Sequence, residues 1–273
     1  VSAGVLAAPL AVWLLILAAA CTDERPTLGA AVIGTTSSAP ASTTTTAPPT
    51  SAPGSTIVPD PVAAERGPDD LQGFIATPTA SPEVRSTPDD AGQPLQIPAT
   101  TPVGAPTTFA IIGDPASPEH PGYYQVLLPT RPNGSTAWVP QDSVTVTRTD
   151  LRLFVDLEGR TLRVERDGTE VFTGTTAVGT ADDPTPTGGT YITELIDNQE
   201  PEGAYGPYAF GLALHSDSRT EFNGGPGQVG IHGTNQPDLI GQAVSHGCIR
   251  LTNADIEELV GLELPLGAPV FVT

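Results

Sequence analysis

The sequence is short of positive charge. Its 11 Lys and Arg residues face 31 Asp and Glu residues, so the formal net charge is −20. Proteins that bind nucleic acid neutralise phosphates with clustered basic side chains, and this composition excludes that class of function. The chain also contains no methionine and no lysine. We attribute the all-arginine cation set to gene base composition, because no mechanism requires it.

Charge is absent from the first twenty residues, where residues 5–20 are apolar. About twenty apolar residues can span a bilayer, and the core of a secretory signal has a similar composition. Small residues precede Cys21, as in a bacterial lipoprotein processing site, although Ala18 stands where leucine is usual. Lipidation of Cys21, signal cleavage nearby and an uncleaved anchor all remain open. Each predicts an exported protein in the cell envelope or periplasmic space, and lipidation or an uncleaved anchor would also attach it to the membrane at its N-terminal end.

Cysteine is scarce, with only Cys21 and Cys248. If Cys21 is lipidated or removed, Cys248 is a single thiol in an oxidising compartment, which calls for an explanation. A Cys21–Cys248 disulfide is the alternative. It would tie the edge of the apolar segment to the far end of the chain.

Two regions of different composition follow residues 1–21. Residues 22–68 are rich in Thr, Pro and Ala and poor in aromatics, which predicts a disordered linker that acts as a tether. Residues 69–149 alternate short apolar runs with turn residues, and no segment has helical periodicity. The predicted strands are 74–76, 108–112, 123–128, 137–139 and 144–146, with a tight turn at 132–134. This pattern is typical of a small β-barrel or sandwich.

Residues 150–273 show clearer alternation. Predicted strands at 152–157, 161–166, 170–175 and 189–193 are separated by glycine turns. The one strong helix signal is late, where Asn253 is placed to cap residues 254–260 and Gly261 follows the last turn. The fold class is therefore predicted to be mostly β with one or two short helices.

The chemistry is concentrated in two glycine-rich motifs. One is Ser245-His246-Gly247-Cys248-Ile249-Arg250, and the other contains His232 followed by Gly233. A thiol is a nucleophile only as thiolate, and a nearby imidazole can take its proton. The pair predicts a Cys/His acyl-transfer site.

These residues resemble a known family. Residues 150–273 resemble an L,D-transpeptidase catalytic domain of the YkuD type, which remodels bacterial peptidoglycan. The resemblance rests on ordered blocks at 184–188, 206–211, 231–234, 245–251 and 266–270. Residues 83–89 and 134–139 are similar to the opening and closing motifs of bacterial SH3-like domains. The layout implies a small SH3-like β-barrel followed by a YkuD-type β-sandwich.

The resemblance implies a role for each motif residue. Cys248 would attack a peptide-stem carbonyl, expel terminal D-Ala and form a thioester, which an amine of a second stem would resolve. His232 is the implied general base. The backbone amides of Gly247 and Cys248 are the implied oxyanion donors.

The other signature residues carry supporting roles in this interpretation. They would bind substrate or support the site: Ser245, His246, Arg250, Gly233 and Tyr208. Structural roles remain open for His246, which could simply form hydrogen bonds, and for Arg250, which could pin its loop to a carbonyl. Some family members have serine at the position of Gly233, so only a backbone carbonyl could hold the imidazole here.

Partners and rival functions follow from the same residues. Peptidoglycan stem peptides are the expected donor and acceptor, carbapenem-type β-lactams the expected covalent inhibitors, and no cofactor or metal is required. The alternatives are an L,D-carboxypeptidase or wall-peptide hydrolase using the same Cys/His pair, or a non-catalytic wall-binding protein. A zinc site of His215, His232, His246 and Cys248 is a further rival, but no two of these ligands have helical or knuckle spacing.

Overall fold

The computed structural model describes residues 69–198, 200–221 and 225–273. The predictions for residues 1–21, including Cys21, and for the linker at 22–68 lie outside the described residues. Within the described ranges, no helix has the length and apolar character needed to cross a membrane.

Residues 69–149, called the first β region here, form one seven-stranded sheet. Its strands are β1 Leu71–Pro78, β2 Val84–Arg85, β3 Pro94–Leu95, β4 Phe109–Ile112, β5 Tyr123–Leu127, β6 Thr136–Pro140 and β7 Val144–Arg148. They lie in the order β3-β2-β6-β5-β4-β1-β7, and all the pairings are antiparallel. The five predicted strands are all present. The assignment to the SH3-like type stays a prediction.

Residues 150–273, the second β region, form an eight-stranded sheet and a two-stranded one. The strands are β8 Leu151–Asp156, β9 Thr161–Arg166, β10 Thr169–Thr175, β11 Val178–Gly179, β12 Gly188–Asp197, β13 Tyr208–His215, β14 Gln228–His232, β15 Ala243–Ser245, β16 Ile249–Arg250 and β17 Pro269–Val272. The large sheet runs β10-β9-β8-β17-β12-β13-β14-β16, and β11 pairs with β15. The mostly β prediction is confirmed.

Alternating burial explains why these segments form strands. In β8, Leu151, Leu153 and Val155 are buried while the residues between them are not. Successive side chains of a strand point to opposite faces, so alternation places one apolar face on the core. Each region has its own apolar cluster, and a third cluster, which includes Leu71, Ile112 and Ala213, joins residues of both.

The helix α1 spans Asn253–Gly261 and buries Ile256 and Leu259. Its N-cap is Thr252, whose hydroxyl accepts a hydrogen bond from the Asp255 amide at 3.1 Å. The prediction that Asn253 caps the helix is therefore wrong. Asn253 is already inside the helix, and its side-chain oxygen is used by another loop.

Candidate active site

A parallel ladder brings the two predicted catalytic residues together. Strand β14 ends at His232, and β16 begins one residue after Cys248, with Ile231 opposite Ile249 and His232 opposite Arg250. Paired strands lie about 5 Å apart. Because Cys248 directly precedes β16, the ladder brings the turn that carries it near the end of β14.

The imidazole of His232 is held by its own loop. Its Nδ1 lies 2.6 Å from the Gly233 carbonyl oxygen, and a carbonyl can only accept, so Nδ1 carries the proton in the neutral ring. Nε2 is then a lone-pair acceptor, and it is buried without a hydrogen-bond partner among the described residues. The sequence prediction that the Gly233 carbonyl could hold the imidazole is confirmed.

Burial sets the protonation state of His232. The residue is 1% exposed. Desolvation lowers its pKa to about 3; the hydrogen bond to Gly233 opposes this shift and the positive charge of Arg250 adds to it. The ring is neutral at neutral pH, and the Tyr205 ring lies against it, with centroids 4.6 Å apart.

Two glycines let a second loop close over this histidine loop. A Cβ added at Gly206, where φ is +63°, would lie 2.3 Å from Asn253 Oδ1 and 2.7 Å from the Gly233 Cα. A Cβ at Gly233 would lie 2.5 Å from the same Asn253 oxygen. That oxygen accepts a hydrogen bond from the Thr234 amide at 2.8 Å. Backbone packing therefore fixes the loop that carries His232, and it requires glycine at both positions.

The turn before Cys248 is closed by Ser245. The Ser245 hydroxyl donates to the Cys248 carbonyl at 2.5 Å and accepts from the Gly247 amide at 3.1 Å. Gly247 has φ +113°, a conformation that glycine adopts readily. Ser245 is fully buried, whereas Cys248 is half-buried and reachable.

This turn bears on the predicted oxyanion donors. The Gly247 amide donates to the Ser245 hydroxyl, which competes with its predicted role as an oxyanion donor, and that role stays a prediction. The sequence could not show this, because it depends on the rotamer of a hydroxyl two residues away. The amide of Cys248 as an oxyanion donor stays a prediction.

His246 faces a polar cluster on the neighbouring loop. Asp183 accepts hydrogen bonds from Arg219 Nη2 at 2.7 Å and from Ser218 Oγ at 2.8 Å. These bonds, that to Arg219 foremost, hold the pKa of Asp183 below its usual range, and charge on His246 acts in the same direction. His246 therefore belongs to the rim of the site that contains Asp183.

Arg250 is buried behind the histidine. It is 4% exposed, and its Nη1 lies 3.5 Å from Gln236 Oε1, a long contact. This contact is to a side-chain oxygen, and not to the backbone carbonyl that the sequence predicted as the partner of Arg250. The backbone of Arg250 exchanges two hydrogen bonds with Ala177 instead. A buried cation beside His232 disfavours a second positive charge there.

Other aromatic and histidine candidates lie outside the catalytic pair. The Tyr208 side chain packs on the core of the second β region, while its carbonyl accepts from the Gly233 amide at 3.3 Å. Phe210 is buried in the same core. His215 is buried at the end of β13, and the His120 ring makes an edge contact with Trp138 in the first β region.

The histidines and Cys248 do not form a metal site. Within the described ranges, no three His, Cys, Asp or Glu side chains lie close enough together to hold an ion. Sequence reasoning missed two residues that shape the site, Asn253 and Asp183. An asparagine after a threonine was a weak signal for the first, and nothing in sequence linked the second to Cys248.

Comparisons with known proteins agree with this geometry. Residues 150–272 match the family model of the YkuD-type L,D-transpeptidase catalytic domain. The chain is 38% identical over 122 residues to a protein of Bacillus licheniformis described as "Putative L,D-transpeptidase YkuD", covering 45% of this chain and 65% of that protein. A protein of Bacillus subtilis with the same description is 36% identical over 118 residues, covering 43% and 63%.

One solved structure completes the comparison. The catalytic domain of the E. faecium L,D-transpeptidase is 24% identical, covers 45% of this chain and 97% of its own, and has a TM-score of 0.34. The match to this chain spans less than two thirds of the two Bacillus proteins. The matched residues include both His232 and Cys248. The resemblance of the second β region to an L,D-transpeptidase catalytic domain of the YkuD type is therefore confirmed by the match to the family model.

Proposed function

We propose that this chain is a peptidoglycan L,D-transpeptidase in which Cys248 is the nucleophile and His232 its base. One observation carries the proposal. The pairing of β14 with β16 supports it, because His232 ends β14 and Cys248 directly precedes β16, and His232 Nε2 has no competing partner among the described residues. A buried base with a single open nitrogen beside a reachable thiol is the arrangement that nucleophilic catalysis needs.

The first half-reaction forms a thioester. His232 Nε2 takes the proton of the Cys248 thiol as sulfur attacks the carbonyl carbon that precedes a terminal D-Ala. A C–S bond forms, the C–N bond to D-Ala breaks, and the proton passes to the departing amine. Because burial lowers the pKa of His232, the ring enters this step neutral, with the proton on Nδ1 and the lone pair of Nε2 open.

The second half-reaction transfers the acyl group. An amine of a second stem attacks the thioester, a C–N bond forms, and the C–S bond breaks to regenerate the thiol. The amine proton returns through His232 to sulfur. The negative oxygen that develops in both steps needs fixed donors, which are typically worth about 3–4 kcal/mol, and the Cys248 amide is the donor that we propose.

Incubation with purified muropeptides tests the reaction. We expect a cross-linked product whose mass is the sum of two stems less one alanine, and none with Cys248→Ala. A product that persists in the variant contradicts the proposal. A donor that loses alanine without gaining a second stem would show that water, not an amine, resolves the thioester, and would identify a carboxypeptidase.

Covalent inhibition gives a second test. A carbapenem carries a strained lactam carbonyl, and attack by the Cys248 thiolate opens the ring with nothing expelled. Intact-mass spectrometry should therefore show an adduct of the full inhibitor mass on the wild type. An adduct of the same mass on Cys248→Ala would refute the assignment.

The location of the protein is also a proposal. The apolar residues 5–20 and the small residues before Cys21 support an exported protein held at the membrane. If a lipid on Cys21 is the anchor, Cys21→Ser moves the protein from the membrane to the soluble fraction. Retention of the variant in the membrane would assign the anchor to the apolar segment itself.

A further inference from the structure

Arg131, in the loop between β5 and β6 of the first β region, reaches into the second β region. Its guanidinium donates to three backbone carbonyls: Nη1 to Ser216 at 2.7 Å, and Nη2 to Arg219 at 3.0 Å and Pro226 at 2.9 Å. The planar fork of arginine makes several directed hydrogen bonds at once, which the point charge of lysine does not. One side chain thus ties the backbone of Ser216 and Arg219, which follow β13, to that of Pro226, which precedes β14.

Asn133, two residues along the same loop, holds the neighbouring residue. Its Nδ2 donates to the His215 carbonyl at 2.7 Å, and its Oδ1 accepts from the His215 amide at 2.9 Å. The two bonds satisfy both the backbone amide and the backbone carbonyl of His215, where β13 ends. Arg131 and Asn133 together fix residues 215–219 from outside the catalytic domain, and we call this pair the interregion clamp.

The clamped segment lies against residues 245–248, the turn that Ser245 closes and that carries Cys248, which we call the catalytic turn. A Cβ built on Gly247 would lie 3.9 Å from Ser216 Cβ and Oγ and 3.5 Å from the Pro184 carbonyl oxygen. Ser216 is therefore one wall of the turn that presents Cys248, and the loop of Pro184 is another.

A polar chain joins the two walls. Ser216 Oγ lies 3.1 Å from Ser218 Oγ, and both Ser218 and Arg219 donate to the Asp183 carboxylate. The Asp183 loop in turn reaches the catalytic turn, because the Thr180 amide donates to the Ser245 carbonyl at 3.0 Å. Contacts thus run without interruption from Arg131 to the residues flanking Cys248.

We propose that Arg131 and Asn133 are positioning residues for Cys248, so that the first β region is part of the catalytic machinery and not only a spacer or wall-binding module. This inference rests on the proposed role of Cys248 as the nucleophile. The clamp sets the position of the segment that walls the catalytic turn, and loss of the clamp lets the thiol leave its productive geometry.

The test compares conservative variants of the full chain. Arg131→Lys keeps the charge but loses the fork, and Asn133→Ala removes both bonds to His215. The matched control is Arg85→Lys, because Arg85 also donates to a carbonyl, that of Asp90, but within the first β region. Three quantities are measured on each protein: the thermal midpoint, kcat and KM with muropeptides, and the pH dependence of iodoacetamide labelling of Cys248.

A misplacement of about 1 Å can cost roughly 100-fold in rate, so we expect kcat of the clamp variants to fall about 10- to 100-fold with a smaller change in KM. Labelling of Cys248 should also follow a shifted pH profile, while Arg85→Lys behaves as wild type. A lowered midpoint with unchanged kcat and labelling profile would mean that the clamp only stabilises the fold, and would overturn the inference. Should Arg131→Lys fail to fold, Asn133→Ala decides between the same outcomes.

Iodoacetamide labelling of Cys248 tests the role of the clamp independently of the proposed transpeptidase reaction. A wild type that does not process muropeptides contradicts the proposed function, yet iodoacetamide still reports the surroundings of Cys248. A labelling profile that is identical in wild type and both clamp variants then overturns the clamp inference, and a shifted profile supports it.

Discussion

The two β regions bury different kinds of side chain. Among the described residues, the buried polar side chains of the first region are uncharged: Thr107, Thr108, Gln125 and Thr149. The second region buries a carboxyl, two imidazoles and a guanidinium, those of Glu194, His215, His232 and Arg250. Burying such groups opposes folding, and they accumulate where chemistry needs a perturbed proton affinity. Apart from the clamp residues Arg131 and Asn133, the contrast therefore predicts that substitutions act on rate in the second region.

Removal of the base should have the largest effect. His232→Gln keeps a polar side chain of similar size but no basic nitrogen, so acylation of Cys248 should slow by about 10²- to 10⁴-fold. Stopped-flow or intact-mass kinetics with a carbapenem measure this rate constant. His120→Gln, in the first region, is the control and should match wild type. Equal rates in both variants would remove His232 from the mechanism.

The buried histidines of the second region should make the free energy of unfolding depend on pH in the acid range. Burial lowers the pKa of His232 to about 3 and that of His215 to about 4, each from 6.5. The unfolded chain therefore binds more protons than the folded chain between those values and 6.5, and the free energy of unfolding falls as pH drops through that window. Each histidine contributes at most about 1.4 kcal/mol per pH unit.

Denaturant titrations at several pH values measure this slope. Glu194 opposes it, because burial raises the pKa of its carboxyl and the folded state then takes up a proton first. His232→Gln should flatten the dependence between pH 4 and 6. An unchanged slope in the variant would show that His232 is not shielded from solvent.

Alanine substitution at two glycines with positive φ, Gly206 and Gly122, distinguishes a loss of close packing from backbone strain. Gly206→Ala should lower stability by about 1–3 kcal/mol and slow acylation, because its new methyl group collides with the His232 loop. Gly122, in the first region, has φ +88°, and a Cβ added there would have no atom within 4 Å. Gly122→Ala therefore adds backbone strain without a steric clash. Thermal unfolding and acylation rates of the two are compared. Identical losses would mean that the close approach at Gly206 has no role.

The smallest effect is expected at the turn hydroxyl. Ser245→Ala removes both bonds that close the catalytic turn, and a net worth of about 1 kcal/mol per bond sets an upper limit of about 30-fold on the loss in acylation rate. Ser143→Ala removes a comparable hydroxyl–carbonyl bond in the first region. That variant should acylate at the wild-type rate. A Ser245→Ala enzyme of full activity would show that the turn closes without its hydroxyl.

Local sequence patterns predicted most of the fold. The alternation of apolar and polar residues in 152–157 and 161–166 predicted two strands, and these strands pair in the register that one buried face requires. The helix lies where the sequence predicts it, but its N-cap is Thr252 and not Asn253. Both residue types are good N-caps, so the sequence does not distinguish them. Only the fold shows that the Asn253 oxygen is committed to Thr234.

Sequence motifs pointed to Cys248 and His232 as a candidate pair, but not to the residues that surround them. Cysteine and histidine are rare enough here for their motifs to be noticed. The use of the Gly247 amide by Ser245, and the reach of Arg131 across to Ser216, depend on residues that are distant in sequence or on a single rotamer. Tertiary contacts of that kind leave no periodic signal in a sequence.

The ladder between β14 and β16 has one more consequence. Sixteen residues separate His232 from Cys248 along the chain, yet hydrogen bonds between β14 and β16, and not the length of the connecting loop, align His232 with the strand that follows Cys248. That loop can therefore gain or lose residues between Thr234 and Gly241 while the reactive atoms keep their places. Evolution and protein engineers alike can reshape the approach to the thiol there without retuning its chemistry.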